Sequence, residues 1–223
     1  MKRQESIWYH FSVEGETEKY YLEWLQNVIN KHQNKKYKVK FIVRIDKDPI
    51  SSAKKFTALD PIEAIHVFDY ESNDEQHVKQ FENILSKMKE VEEYYCHKVS
   101  KYHLGYTNMT FELWMILHKS PCNGSLHYRD QYLDKINSAY GKNFLDLKTY
   151  KKETNFKNLL KDLTLNDVKE AIGRAEYISK INEEDYQNQI MYNFGYKYST
   201  NNPSLSLHEI LSNIFEELEI VFD

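Results

Sequence analysis

Three short stretches of this sequence put acids at places where regular structure should begin or end. Val13-Glu14-Gly15-Glu16-Thr17-Glu18 follows a strand-like run, and Val67-Phe68-Asp69-Tyr70-Glu71 ends another. The third, Thr107-Asn108-Met109-Thr110-Phe111-Glu112-Leu113-Trp114-Met115-Ile116-Leu117-His118, sets Glu112 and His118 into an otherwise apolar helical segment. Carboxylates crowded at strand ends repel one another unless a cation joins them, and oxygen donors of this kind suit a hard divalent ion such as Mg²⁺. Asp69 and Glu71 are two apart, so in extended geometry they share a face. Glu14 stands where the first strand ends, and Gly15 permits a tight turn there.

Each feature also has a plainer reading. Glu16 and Glu18 fall in the first turn of the next helix, where negative charge suits the macrodipole, and that reading is preferred for Glu18. Asn73, Asp74 and Glu75 would simply start a helix. Glu112 could complete a metal site. His118 could give a proton or touch phosphate, or it could cap the end of its helix. Six positions separate Glu112 from His118, so an ideal helix does not present both on one face.

The elements that must position these residues alternate. Ser6 to Val13 reads as a strand, with a helix from a Thr17 cap carrying Tyr20, Tyr21, Trp24, Leu25, Val28 and Ile29 at helical spacing. Tyr37 to Ile45 is a second strand, Pro49 to Phe56 a turn with a short helix, and Ala64 to Phe68 a short apolar strand. Asp74 to Tyr94 reads as a helix, Lys98 to Tyr106 as a weaker strand and Phe111 to His118 as a helix. Such alternation predicts a parallel sheet with crossover helices, whose site lies beyond the carboxyl ends of the strands. After Pro121-Cys122-Asn123-Gly124 the chain reads mostly as helix: Arg129 to Tyr140, Phe156 to Leu163, Leu165 to Ile181 and Leu205 to Phe222. The expectation is an α/β core over residues 1–120 with a mostly helical extension over 121–223 packed upon it.

Bulk properties narrow the class. The 223 residues are 41% hydrophobic and 29% charged, too apolar for disorder. The formal net charge of −4 carries no general basic excess, so any nucleic-acid contact needs a local patch, for which Lys148, Lys151, Lys152 and Lys157 are the candidates. Cys96 and Cys122 are the two cysteines and lack zinc-site spacing. No membrane span is expected, and Met1-Lys2-Arg3-Gln4-Glu5 leads into the first strand without a signal segment. These features predict a cytoplasmic protein. The 18 Tyr and 11 Phe suggest half-wet clefts or interfaces.

Taken together, the three acidic segments resemble the RloB-like family, which carries a Toprim-like domain in bacterial anti-phage defence loci. Glu14-Gly15-Glu16-Thr17-Glu18 is similar to its E-G-x-x-T-E stretch, one residue shorter before Thr-Glu. Asp69-Tyr70-Glu71 stands for its D-x-D, and Thr107 to His118 for its S-N-P-x-F-E-x-W-x-L-L-H, with Met109 and Thr110 in place of the residues expected after Asn108. Leu147 to Lys152 resembles its Y-x-K region, Ala171 to Ala175 its A-x-x-R-A helix with Arg174, and Asn202 to Leu207 its terminal N-P-S-T segment. The resemblance implies a Toprim-like, mainly parallel sheet flanked by helices. It implies Glu14, Asp69 and Glu71 as ligands of Mg²⁺ (or Mn²⁺), with Glu14 as ligand or general base and Glu112 and His118 as auxiliary catalytic groups. It further implies contacts to DNA or RNA from Lys148, Lys151, Lys152 and Asn108.

On that resemblance the expected function is Mg²⁺-dependent nuclease action in anti-phage defence or abortive infection, beside an ABC-type ATPase partner of the RloA kind. A non-catalytic sensor or partner-binding module with a Tyr-rich helical interface is the alternative, and processing of a nucleotide signal is a third. Self-association is left open.

Overall fold

The structure, a computed structural model, describes residues 5–57 and 59–222. Met1 to Gln4, read above as leading into the first strand, lie outside the described residues. The first half alternates as expected: β1 (Ser6–Val13), α1 (Glu16–Lys31), β2 (Lys38–Ile45), α2 (Pro49–Lys55), β3 (Ile62–Tyr70), α3 (Glu75–Tyr94), β4 (Val99–Asn108) and α4 (Glu112–Leu117). The strands form one parallel sheet in the order β2-β1-β3-β4. Parallel strands need crossovers, and α1, α2 and α3 provide them.

Alternation along each strand splits the core between the two sheet faces. Phe11, Val13, Ile65 and Val67 pack with Tyr21, Leu22, Leu25 and Ile29 of α1 and with Trp114, Met115 and Leu117 of α4. Ala64, Phe68, Tyr70, Tyr102 and Tyr106 pack instead with Ala53, Phe56 and the Phe81, Leu85, Met88 and Val91 stripe of α3. The aromatic side is built from edges and faces: Phe81 stacks on Phe68 at 4.8 Å and meets Tyr70 edge-on at 4.9 Å.

The second half contains α5 (Arg129–Tyr140), α6 (Leu147–Tyr150), α7 (Glu153–Leu160), α8 (Leu165–Asp185) and α9 (Leu207–Glu217). Tyr132, Ile136, Tyr150, Phe156, Leu159, Val168, Ile178 and Leu211 from these helices join the same cluster as Phe11 and Leu25. An antiparallel hairpin, β5 (Ile190–Asn193) with β6 (Tyr196–Ser199), interrupts the helical run. Its tight turn uses positive φ at Phe194 (53°) and Gly195 (88°), the geometry that joins twisted strands through two residues. Tyr198 of this hairpin is buried against Phe81 and Tyr106.

Three boundaries differ from the sequence reading in ways that matter. Gly15, not Thr17, caps α1, and Thr17 is a buried residue of its first turn. β3 and β4 run on past Phe68 and Tyr106 to Tyr70 and Asn108, so Asp69 and Thr107 are paired with each other within the sheet. The segment before α9 holds the end of β4: Leu205 bridges Thr107 in antiparallel sense, and the Asn108 N–H donates to the Ser204 carbonyl at 2.9 Å.

Leu25 is fully buried between α1 and the sheet. Leu25→Ala should lower unfolding free energy by about 2–5 kcal/mol, whereas exposed Leu145→Ala should change it by less than about 0.5 kcal/mol. Urea denaturation of the two variants checks this, and equal effects would contradict the packing described.

Candidate carboxylate centre at the carboxyl edge of the sheet

The parallel sheet brings the ends of β1, β3 and β4 side by side, and each delivers an acid. Glu14 leaves β1 and turns its carboxylate over β3, where it accepts the Asp69 backbone N–H at 3.1 Å. Asp69, one residue from the end of β3, accepts the Thr107 hydroxyl of β4 at 2.7 Å. Glu112 opens α4 just past β4, is fully buried and accepts the Thr110 hydroxyl. Met109 makes this strand-to-helix corner with a positive φ of 64°, and its N–H donates to the Tyr70 carbonyl at 2.8 Å. A left-handed conformation at a residue with a side chain is uncommon and is held here by the bonds on either side of it.

The fourth acid is Glu18. It is buried at 6% exposure in the first turn of α1, where the Thr17 hydroxyl donates to it at 3.0 Å. Gly15 gives this carboxylate room: a Cβ there would lie 3.1 Å from it, closer than most such contacts. Gly15 thus favours close approach of the carboxylate and is not needed for a special φ, its backbone being extended (φ −149°).

These acids feel one another. Burial pushes Asp69 well above the usual carboxylate range; the charges of Glu18, Glu14 and Glu112 add to that, and the Thr107 hydrogen bond only partly opposes it. Burial likewise raises Glu18, against its hydrogen bonds and the attraction of Lys151. The positive charges are few. Lys151 Nζ lies 3.0 Å from Glu112 Oε1, and Lys47, mostly exposed, lies 3.6 Å from Glu14.

Other expected members are placed elsewhere. Glu71 turns to Arg129 at 3.0 Å and His77 at 3.3 Å, and the acids that act on Asp69 are Glu18, Glu14 and Glu112 instead. His118 is buried beneath the site. Its Nδ1–H donates to the Trp114 carbonyl at 2.9 Å, which fixes Nε2 as acceptor from the Tyr21 hydroxyl at 3.1 Å. Burial pushes its pKa down to about 4, so it is a neutral packing residue at physiological pH. Asn108 is buried, its Nδ2 donating to the Asn201 carbonyl, so it braces the corner rather than facing solvent. Lys148 and Lys152 are exposed on and beside α6. Arg174 donates to the Leu117 carbonyl at 2.6 Å, at the far end of α4.

Asp46, Asp48 and Asp74 serve local structure. Asp46 binds Lys55 at 2.7 Å, Asp48 caps α2 and meets Lys87 at 2.5 Å, and Asp74 caps α3.

The donor set of Glu14, Glu18, Asp69 and Glu112 is all oxygen, which fits the chemistry of Mg²⁺ or Mn²⁺. As they stand, no three His, Cys, Asp or Glu side chains among the described residues form a ready-made metal cage. Glu14 is occupied with a backbone N–H and Glu112 with Thr110 and Lys151.

A parallel α/β sheet with carboxylates gathered at its carboxyl edge defines the class of protein. Comparison with known families matches residues 11–214 to the family described as RloB-like protein, and the chain belongs to that family. The comparisons with curated proteins and with solved structures return no match. No helix among the described residues is long and apolar enough to cross a membrane.

Two outcomes follow from the electrostatics. Asp69 titrates above its unfolded value of about 3.8, so the native state binds more protons there and Asp69 lowers stability as pH rises from about 4 through its folded value. Asp69→Asn keeps the acceptor for Thr107 and removes the charge. In metal-free buffer at pH 7.5 it should raise Tm by about 2–4 °C, the shift expected from ~1 kcal/mol in a chain of this size; a lower Tm would contradict the crowding. His66, His118 and His208, by contrast, are each pushed down to about 4 by burial. The unfolded chain then takes up more protons, so their contribution is complete above about pH 6.5 and fades as pH falls toward 4. NMR titration should find all three imidazoles neutral at pH 5.5, and a protonated His118 there would contradict this packing.

Proposed function

We propose that this member of the RloB-like family is a Mg²⁺-dependent nuclease that hydrolyses phosphodiester bonds of DNA or RNA in anti-phage defence, with an ABC-type ATPase as partner. The observation that carries the reading is the convergence of Glu14, Glu18, Asp69 and Glu112 at the carboxyl edge, two of them buried, where the acids outnumber the cations beside them. Carboxylates are held in such proximity at a cost, and a divalent cation is the partner that removes it.

Glu14, Asp69 and Glu112 would hold the cation, Glu112 through the oxygen that faces Lys151, with Glu18 behind them and Glu71 reaching it only by leaving Arg129. The cation would supply charge neutralisation at the phosphate and a more acidic bound water. Glu14, partly exposed, is the acid able to take a proton from an attacking water. Lys148 and Lys152 project from the α6 region toward solvent and would meet the phosphate backbone, which an acidic protein can bind only through such local charge. The ATPase and the defence role rest on the family resemblance.

The second reading, a non-catalytic sensor or partner-binding module, is favoured by one observation: Glu71, Glu14 and Glu112 each already have a cationic neighbour. Glu14→Gln separates the two. The nuclease reading expects loss of Mg²⁺-dependent cleavage by at least about 10²-fold, on labelled DNA and RNA panels with and without the ATPase, at unchanged circular dichroism. Retained phage defence in Glu14→Gln cells would establish the module instead.

A further inference from the structure

The carboxylate centre contains a cation of its own. Lys151 follows α6, and its ammonium lies 3.0 Å from Glu112, a fully buried carboxylate. The lysine side chain keeps 40% of its surface exposed, so it reaches the centre from solvent and has room to withdraw. Its reach extends beyond the single pair. Burial works against its charge, yet Glu112, Asp69 and Glu18 outweigh that and hold its pKa above the ordinary lysine value. One ammonium thus answers acids from α1, β3 and α4.

The adjacent residue points to the same place. The Tyr150 hydroxyl is fully buried and has no hydrogen-bond partner, while the charges acting on it most include Glu112 and Glu18. A buried hydroxyl left unpaired is unfavourable, and native structures rarely keep one without a reason. Lys151, with its ammonium on Glu112, leaves the hydroxyl unanswered.

We propose that Lys151 is the resident cation of the carboxylate centre and that it and a divalent cation exclude each other at Glu112. The inference rests on the metal-dependent reading above and adds its regulation. Glu112 has one oxygen on the Thr110 hydroxyl and the other 3.0 Å from the Lys151 ammonium but without a hydrogen bond, so a metal ion that takes the second oxygen meets the ammonium as a like charge. Lysine is suited to this exchange: a point charge on a flexible stem can leave without breaking a bidentate fork. Once displaced, the ammonium would return to solvent, where Lys152 is also exposed and an incoming phosphate would stabilise it. Metal loading and substrate binding would then support each other, since both favour the withdrawn lysine.

Calorimetric titration of the full chain with MnCl₂ tests this, with thermal melting in EDTA alongside. Lys151→Gln should bind Mn²⁺ about ten-fold tighter or more than the wild type. Its metal-free Tm should fall, and the deficit should close at saturating Mn²⁺. Lys151→Arg keeps the charge and strengthens its grip on the carboxylate, so it should bind Mn²⁺ no tighter than the wild type. Lys161→Gln, at an exposed lysine outside the centre that bonds only Asn158, should match the wild type. Unchanged or weaker binding by Lys151→Gln, or equal tightening by Lys151→Arg or Lys161→Gln, overturns the proposal. If the wild type binds Mn²⁺ and Lys151→Gln binds it no better, the metal-dependent reading stands and this inference alone falls. If neither binds, that reading falls and takes this one with it.

Discussion

Repulsion among crowded carboxylates, Glu18 and Glu112 of them buried, is the constraint on which the rest of the structure turns. Glu14, Glu18, Asp69 and Glu112 come from four points in the sequence, and nothing about their own chemistry draws them together. They meet because parallel strands all end on one side of the sheet, and the hydrophobic layers on its two faces enforce that arrangement. Folding energy from the apolar core is therefore set against electrostatic cost at the edge. The small hydrogen bonds there, from Thr17, Thr107, Thr110 and the Asp69 N–H, lessen the cost without removing the charge.

The second half of the chain contributes to this balance as well as to the core. Tyr150 is buried among Phe144 and Phe156, which anchors the segment that delivers Lys151. The stretch before α9 pairs with the end of β4 and so holds Thr107, the donor to Asp69. Ser204 and Ser206 tie the same stretch to Tyr106, with the two hydroxyls of Ser204 and Tyr106 at 2.6 Å. The centre is thus a product of the whole chain, since removal of the helical half would take away both the internal cation and the clamp on β4.

Much of the fold is legible in the sequence because its signals are local. β1 and α5 fall at the bounds that their patterns predict, Ser6–Val13 and Arg129–Tyr140. The β5–β6 hairpin escapes notice: Ile190 to Ser199 is short, rich in Tyr, and announces itself only by Phe194-Gly195. At the site, Glu14 and Asp69 are legible because each ends an apolar strand. Glu18 is not, since an acid in a first helical turn has an adequate local explanation, and its burial depends on α1 docking. The Glu112–Lys151 pair joins two segments that no local pattern connects. Glu71 misleads for a related reason: the i, i+2 rule holds while the chain stays extended, and β3 ends at Tyr70.

The central claim is that these acids form one cation site at the carboxyl edge. Crystals of the full chain grown with MnCl₂, with diffraction collected at the manganese absorption edge, test it most directly. The account predicts one or two anomalous peaks within bonding distance of Asp69 and Glu14, with the Lys151 ammonium drawn away from Glu112. Full-occupancy manganese elsewhere, or none at all with Lys151 still seated on Glu112, would contradict it.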